Sequence, residues 1–402
     1  MGAGTVKLQI PFNCIGRVGS EFDYIREAYD AMRICGDGIF TSKCHELLER
    51  TLGVSKALLT TSCTHALEMT AFLLNVGPGD EVVVPSFTFP SAINAFVVRG
   101  AKPVFVDVRA DTLNLDEKKL EEAITPATKA IVAVHYAGVG CEMEEICRIA
   151  GKHRVAVVED NAHGLFGKYR GGWLGTFGTL AALSFHETKN FSCGEGGALL
   201  INDASLIERA EIVREKGTDR KKFFRGEVDK YSWVDMGSSY LPSDILAAVL
   251  YAQLEVWRQI QHRRQCLWQR YYAGLSEWAR NAGVRLPVVP AECEQTHHIF
   301  YVLLPDSYTR SALIEHLKAR GILSLFHYVP LHLSKMGRKF GGRAGQCPVA
   351  EWAGECLLRL PLYSSLSETD QDRVIEAVEA FEFPRGVRFG VGKTPDEIAA
   401  AQ

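Results

Sequence analysis

The sequence predicts an α/β protein, with a mostly parallel central sheet covered by helices on both faces and a smaller α/β domain after it. Three observations predict this. Between Lys56 and Asp203, short apolar, β-branched runs alternate with amphipathic stretches, the pattern of strands joined by crossover helices. The runs are apolar nearly throughout, as strands buried on both faces are. The 402 residues are enough for one large domain and a smaller one.

Strands are expected at Ala57–Thr60, Glu81–Pro85, Pro103–Val108, Ala130–His135, Val155–Glu159, Ala181–Phe185 and Ala198–Ile201. Between and after them, helices are expected at Thr64–Leu74, Leu120–Ile124, Met143–His153 and Asp203–Lys216. A long helical stretch, Ser243–Trp278, leads into the second domain. There the pattern reads strand (His298–Leu304), helix (Ser311–Arg320), strand (Ile322–Tyr328), then helices near Pro348–Leu358 and Thr369–Phe381. The expected division is a large domain over 10–245, a connecting helical segment over 246–286 and a small domain over 287–383. A loosely held tail is expected over 384–402.

Composition excludes several function classes. Lys and Arg total 45 against 48 Asp and Glu, a net charge of −3, which gives no footprint for nucleic acid or an anionic membrane. No apolar run approaches the roughly 18 residues of a membrane span. The first residues lack the basic and apolar regions of a secretion signal. Eleven scattered cysteines without a C-x-x-C pair fit reduced thiols and a cytoplasmic location. No metal ion is expected.

In open α/β sheets, ligands bind beyond the carboxyl ends of the strands. That rule selects Ser62–Ala66, Phe87–Phe89, Asp160–His163 and His186–Lys189. Lys189 follows an apolar strand and precedes Gly194-Glu-Gly-Gly; it is either a solvated surface lysine or a covalent anchor for a carbonyl. The second role needs a neutral amine, hence a pKa well below the solution value of about 10.4. Asp160 is either a cap residue or a carboxylate that keeps a cofactor's pyridine nitrogen protonated. His163 is a polar loop residue, or it donates to such a ring's phenolic edge or supports Asp160. Ser62-Cys-Thr-His-Ala opens a helix, where free N–H groups suit a phosphate, although Ser62 or Thr64 serves equally well as an N-cap. Phe89 is core, or it stacks on a flat ring.

At this combination the chain resembles the DegT/DnrJ/EryC1/StrS aminotransferases, from about Ile10 to Phe383. The pieces stand in the family's order: Gly36-Asp-Gly, Ser62-Cys-Thr-His-Ala-Leu, Pro85-Ser-Phe-Thr-Phe, His135-Tyr-Ala-Gly, Glu159-Asp-Asn-Ala-His, Ser184-Phe-His-Glu-Thr-Lys-Asn and Gly194-Glu-Gly-Gly. The resemblance implies a fold-type I, pyridoxal 5′-phosphate (PLP) dependent transferase. It implies that Lys189 holds the cofactor covalently, Asp160 its pyridine nitrogen, and Thr64, His65 and Ser184 its phosphate, with Phe89 over the ring. His163 stands where relatives carry Gln or His. Many relatives carry Gly-Tyr-Asn-Tyr-Arg, whose Asn reaches the phosphate across a homodimer interface. Here Gly237-Ser-Ser-Tyr-Leu puts the shorter Ser239 at that position.

Further strings, including Arg214-Glu-Lys-Gly-Thr, Phe223-Phe-Arg-Gly-Glu-Val-Asp-Lys-Tyr and Phe326-His-Tyr-Val-Pro-Leu-His, are similar to a branch that aminates dTDP-4-keto-6-deoxy-D-glucose with L-glutamate as donor. The amine can be set axially (galacto) or equatorially (gluco), and the subgroup match leans to galacto. Arg214, Lys216, Arg220, Arg225 and Lys230 are candidates for the diphosphate, of which one or two are expected to act. Phe326, Tyr328 and His332 are candidates for the sugar pocket. Open alternatives are amination at C3, a UDP- or GDP-linked sugar, or a non-catalytic regulatory protein on the same fold.

Overall fold

Each of the seven apolar runs becomes a strand within two residues of its expected ends. The computed structural model describes residues 9–384. Its strands are β1 (Lys56–Thr60), β2 (Glu81–Pro85), β3 (Lys102–Val106), β4 (Thr128–Val134), β5 (Ala156–Asp160), β6 (Lys168–Tyr169), β7 (Gly172–Trp173), β8 (Leu180–Ser184), β9 (Gly197–Ile201), β10 (Cys293–Glu294), β11 (Phe300–Leu303) and β12 (Leu357–Leu360). The main sheet runs β1-β9-β8-β5-β4-β2-β3. Only β9 is antiparallel to its neighbours, β1 and β8; the other pairings are parallel.

Burial on both faces explains the unbroken apolar runs. In β2, Val82 and Val84 pack with Leu67 and Phe96 on one face, while Val83 packs with Ile146 and Ile149 on the other. Met143–His153 is helical end to end, with Glu144 and Glu145 in its first turn and Lys152 and His153 in its last, the polarity the helix dipole favours. A separate core joins the helix Trp257–Asn281, the β11/β12 pair and the helices Ser307–Ala319 and Glu368–Glu379 through Leu267, Tyr271, Phe300, Leu313 and Val374.

The structure corrects several expected elements. Leu120–Ile124 forms no α-helix; the chain makes two 3-10 turns, Glu117–Lys119 and Glu121–Ala123. Asp203–Lys216 divides into a 3-10 turn, Ala204–Leu206, and the helix Ile207–Arg214. Ser243–Trp278 is two helices, Asp244–Glu255 and Trp257–Asn281. Val256 (φ −108°, ψ 23°) breaks them, and Trp257 stacks on Phe166 at 4.3 Å. Ile322–Tyr328 is not a strand but makes single bridges, Ile322 to Ile10 and Leu325 to Arg359. The helix near Pro348 ends at Cys356, and the chain passes directly into β12. The helices Glu21–Asp30, Ile39–Leu52, Ser91–Val97, Arg220–Phe224 and Lys335–Lys339 went unforeseen. The expected tail lies, after Pro384, outside the described residues. No helix among the described residues is long and apolar enough to cross a membrane.

Candidate active site

The sheet topology gathers the selected segments on one rim. The register aligns Ser184 with Gly197 and Gly197 with Thr60, so β8 and β1 end where β9 begins. Beyond that edge, the helix Cys63–Leu73 starts, with Ser62 as its N-cap accepting the His65 N–H at 3.1 Å. Only glycine serves at 197: a Cβ there would collide with the backbone of Ser62 and Cys63. A cavity of about 590 Å³ opens at this rim. Among its lining residues are Thr64, Phe89, Asp160, His163, Ser184, Lys189 and Tyr328.

Lys189 and Asp160 therefore share one cavity. Burial draws the Lys189 pKa down to about 8; nearby Cys63 and Asp160 oppose that shift and Arg359 adds to it. Burial pushes the Asp160 carboxyl above its usual range, against the Ala162 N–H that it accepts at 3.2 Å and the charges of Lys189 and His135. Behind it, Glu159 and His135 are fully buried and paired at 2.8 Å. Glu159 also accepts the N–H groups of Gly175, Phe177 and Gly178, each at 2.7 Å, which fixes the strand end carrying Asp160. Burial holds the His163 imidazole well below its usual pKa. Its Nδ1 accepts the Ala137 N–H at 3.3 Å, so the neutral ring carries its proton on Nε2.

Other expected site residues sit elsewhere. The His65 ring bonds Thr61 and packs on Tyr240, outside the cavity lining. Ser239 is exposed and bridges to Glu215, away from its own chain's cavity. Lys216 pairs with Glu215 at 3.0 Å, and Arg225 pairs with Glu211 at 2.7 Å and Glu227 at 2.6 Å. Arg214 is buried, holding Asp37 at 2.8 Å and the Leu59 carbonyl at 2.7 Å, a structural role. Arg220 meets Glu215 at 3.4 Å, and Lys230 is exposed. His332 is fully buried between Ser86 (2.5 Å) and Glu351 (3.0 Å) and does not line the cavity. Phe326 is about half exposed and lies beside the cavity, its carbonyl taken by Arg359.

The lining side chains that sequence reasoning missed include Ser91, His298, His327 and Arg359. Ser91 exchanges a hydrogen bond with Thr64 at 2.8 Å. His298 and His163 pack at 4.2 Å, and His327 stacks on Tyr328 at 3.6 Å while bonding the Tyr136 hydroxyl at 2.8 Å. His327 sat inside a quoted string, between the two residues chosen from it. Arg359 was hidden by the expected helix over its neighbours.

This donor set fits PLP: a depressed amine, a buried carboxylate, a glycine-cleared helix N-terminus with Thr64, Ser91 and Ser184 beside it, and an exposed aromatic ring at Phe89. The family profile described as DegT/DnrJ/EryC1/StrS aminotransferase family matches residues 18–379. A similar protein, MJ1066 of Methanocaldococcus jannaschii, is 33% identical over 379 residues, covering 92% of this chain and 96% of its own. Spr1654 of Streptococcus pneumoniae, assigned as a sugar aminotransferase and solved in its PMP form, superposes with a TM-score of 0.86 at 27% identity, over 92% of this chain and 98% of that one. The aminotransferase TlmJ of Streptoalloteichus hindustanus gives 0.83 at 33% identity, over 93% and 98%. With the match spanning nearly the whole chain, the protein belongs to the DegT/DnrJ/EryC1/StrS aminotransferase family and is a PLP-dependent aminotransferase.

Proposed function

We propose that the protein moves an amino group from L-glutamate to the keto carbon of dTDP-4-keto-6-deoxy-D-glucose, giving a dTDP-4-amino-4,6-dideoxy sugar and 2-oxoglutarate. The observation that carries the aminotransfer is one cavity holding Lys189 and Asp160 beside a cleared helix N-terminus. The choice of sugar rests on the strings around Arg214, Phe223 and Phe326.

When bound, PLP supplies an aldehyde carbon for the incoming amine and a ring that takes up electrons. Asp160 would hold the pyridine nitrogen, and Thr64, Ser184 and the first N–H groups of the helix Cys63–Leu73 would hold the phosphate. Phe89 would cover the ring, and the His163 Nε2–H would reach its phenolic edge. Lys189 Nζ would anchor the cofactor and, as a free amine, would take and return the proton of the donor's α-carbon. A pKa near 8 leaves part of it neutral near pH 7, as a general base needs. On the sugar side, Tyr328 lines the cavity and Phe326 borders it. Binding of the nucleotide, remote from the reacting carbon, positions that carbon without entering the chemistry.

In this reading the chain works as a homodimer, with Ser239 reaching toward the partner's phosphate site. The division at 10–245, 246–286 and 287–383 would separate a large cofactor-binding domain, a connecting helical segment and a small C-terminal domain. The eleven unpaired thiols suit the reducing cytoplasm. Incubating the holoenzyme with L-glutamate and dTDP-4-keto-6-deoxy-D-glucose, followed by NMR of the sugar, tests the reaction. An axial C4 amine is expected. An equatorial amine would change the stereochemical assignment, and amination only of a 3-keto, UDP- or GDP-linked sugar would overturn the choice of substrate.

A further inference from the structure

His332 closes the string Phe326-His-Tyr-Val-Pro-Leu-His, yet it stands outside the cavity that its neighbours His327 and Tyr328 line. Its ring is fully buried between two partners. Ser86 Oγ lies 2.5 Å from Nδ1, and Glu351 Oε1 lies 3.0 Å from Nε2. A carboxylate only accepts, so Nε2 of the neutral ring carries the proton and Nδ1 accepts the Ser86 hydroxyl. The order Ser-His-Glu is that of a hydrolytic triad. Ser86 is fully buried as well, however, and neither it nor His332 lines the cavity, which leaves the hydroxyl no access to a substrate. The backbone repeats the link: the Ser86 carbonyl accepts the Leu331 N–H at 2.8 Å, and Ser86 Oγ accepts the His332 N–H at 3.3 Å.

Both sides of this link carry a wall of the cavity. Ser86 follows β2 and precedes Phe87-Thr-Phe, whose last ring is the proposed cover of the cofactor. His332 follows Tyr328, which lines the cavity from the other chain segment. The Phe89 and Tyr328 ring centres stand 6.3 Å apart, and Phe87 packs on Tyr328 at 5.5 Å. Glu351 is fixed in turn by its helix, Pro348–Cys356. Buried Asp107, just past β3, accepts the N–H groups of Val349 and Ala350 at 3.1 and 2.9 Å and so holds the first turn of that helix. Val349, Ala350 and Ala353 share a core with Phe87 and Leu331. Gly354 lets the loop lie against the same helix, since a Cβ there would stand 2.7 Å from the Pro330 ring. Strand end, loop and helix thus form one frame around Tyr328. We infer that His332 is a positioning residue: through Ser86 and Glu351 it sets the gap between Phe89 and Tyr328, and with it the fit of the keto sugar. This rests on the sugar-aminotransfer reading above, in which Tyr328 stands on the sugar side.

The test uses holoenzyme with three substitutions. His332→Leu removes both side-chain bonds, His332→Gln offers one acceptor and one donor in their place, and Gly354→Ala keeps the bonds but displaces the loop. Hydrogen exchange at Leu331 and His332 reads the link without substrate and should quicken about tenfold in the Leu variant. Single-turnover return by dTDP-4-keto-6-deoxy-D-glucose, followed against sugar concentration, should show half-saturation raised about tenfold in the Leu and Gly354→Ala variants. The limiting rate should stay within about threefold, and His332→Gln should recover most of the loss. The Kd for PLP and single-turnover conversion by L-glutamate should also stay within about threefold, because the cofactor's donors lie elsewhere. Unchanged half-saturation in both altered loops would overturn the inference. So would a loss of PLP affinity and glutamate conversion in step with the sugar, which would make His332 a general prop of the fold. Should His332→Leu fail to fold, Gly354→Ala decides by the same criteria. A wild type that accepts only a 3-keto, UDP- or GDP-linked sugar would sink the substrate assignment instead, and the same comparison run with that sugar still decides the role of His332.

Discussion

The pKa of Lys189, lowered to about 8 by burial, has a consequence that can be measured without substrate. Below about pH 8, the folded and unfolded chains both hold the proton, and the folded state carries the penalty of a buried charge. Between about 8 and 10.5 the unfolded chain keeps a proton that the folded chain has shed, so stability rises with pH across that window. Lys189→Met removes the window. The cofactor-free variant should be more stable than the cofactor-free wild type at pH 7 by about 1–3 kcal/mol, with the gap closing by pH 10. Chemical denaturation at the two pH values reads this directly, and a variant no more stable than wild type at pH 7 would refute it. The same substitution should abolish transamination and the visible absorption of the bound cofactor. His163 poses a different test. Its Nδ1 is taken by the Ala137 N–H, so what it offers the cavity is one N–H donor. His163→Gln can supply a donor and His163→Leu cannot. The Gln variant should keep kcat within about tenfold, while the Leu variant should fall by about 10- to 100-fold.

At the scale of elements, the helix Cys63–Leu73 and strand β9 form one device. The helix can bring its N–H groups to the rim because Gly197 leaves room for the Ser62–Cys63 backbone. Gly197→Ala should push the helix start outward, destabilise the fold by about 1–3 kcal/mol and weaken cofactor affinity. Gly53→Ala is the informative contrast. Nothing crowds a Cβ there, but its φ of 74° strains any other residue, so it should lower stability while leaving cofactor affinity intact. Thermal melts with and without PLP separate the two effects. The same scale shows what the sequence could convey. The strands were legible because burial on both faces leaves unbroken runs such as Val82-Val-Val, and the rim residues followed from those strands. β12 was not legible. Leu357-Leu-Arg-Leu follows the helix Pro348–Cys356 without a turn residue, and its partner, β11, is distant in sequence. Arg359 disappeared with it. The basic run from Arg214 to Lys230 meets a related obstacle. Asp37, which pairs with Arg214, is remote in the chain, so local reading could not tell a structural arginine from one free to bind a diphosphate.

At the scale of the whole molecule, two chain segments leave large apolar side chains exposed. Phe22 (74%), Tyr29 and Met32 (90%) lie in and just after the helix Glu21–Asp30, and Phe224, Tyr231, Trp233 (79%) and Met236 follow the helix Ile207–Arg214. Exposed apolar groups in such number are what a surface covered by a second copy would show. The proposed homodimer would supply that partner, and Ser239, close to Trp233 in the chain, is the residue proposed to reach the neighbouring phosphate site. Placing a charge on this surface should therefore do two things together. Trp233→Glu would bury an unpaired carboxylate at the interface, and sedimentation equilibrium at micromolar concentration should show a dimeric wild type and a largely monomeric variant. The Kd for PLP should rise at least about tenfold in the variant, because each site would lose the partner's contribution. Raising the variant's concentration until dimers return should restore much of that affinity. Ser239→Ala should weaken PLP binding without dissociating the dimer, so a Ser239→Ala protein with unaltered affinity would remove the cross-subunit contact while leaving the dimer in place.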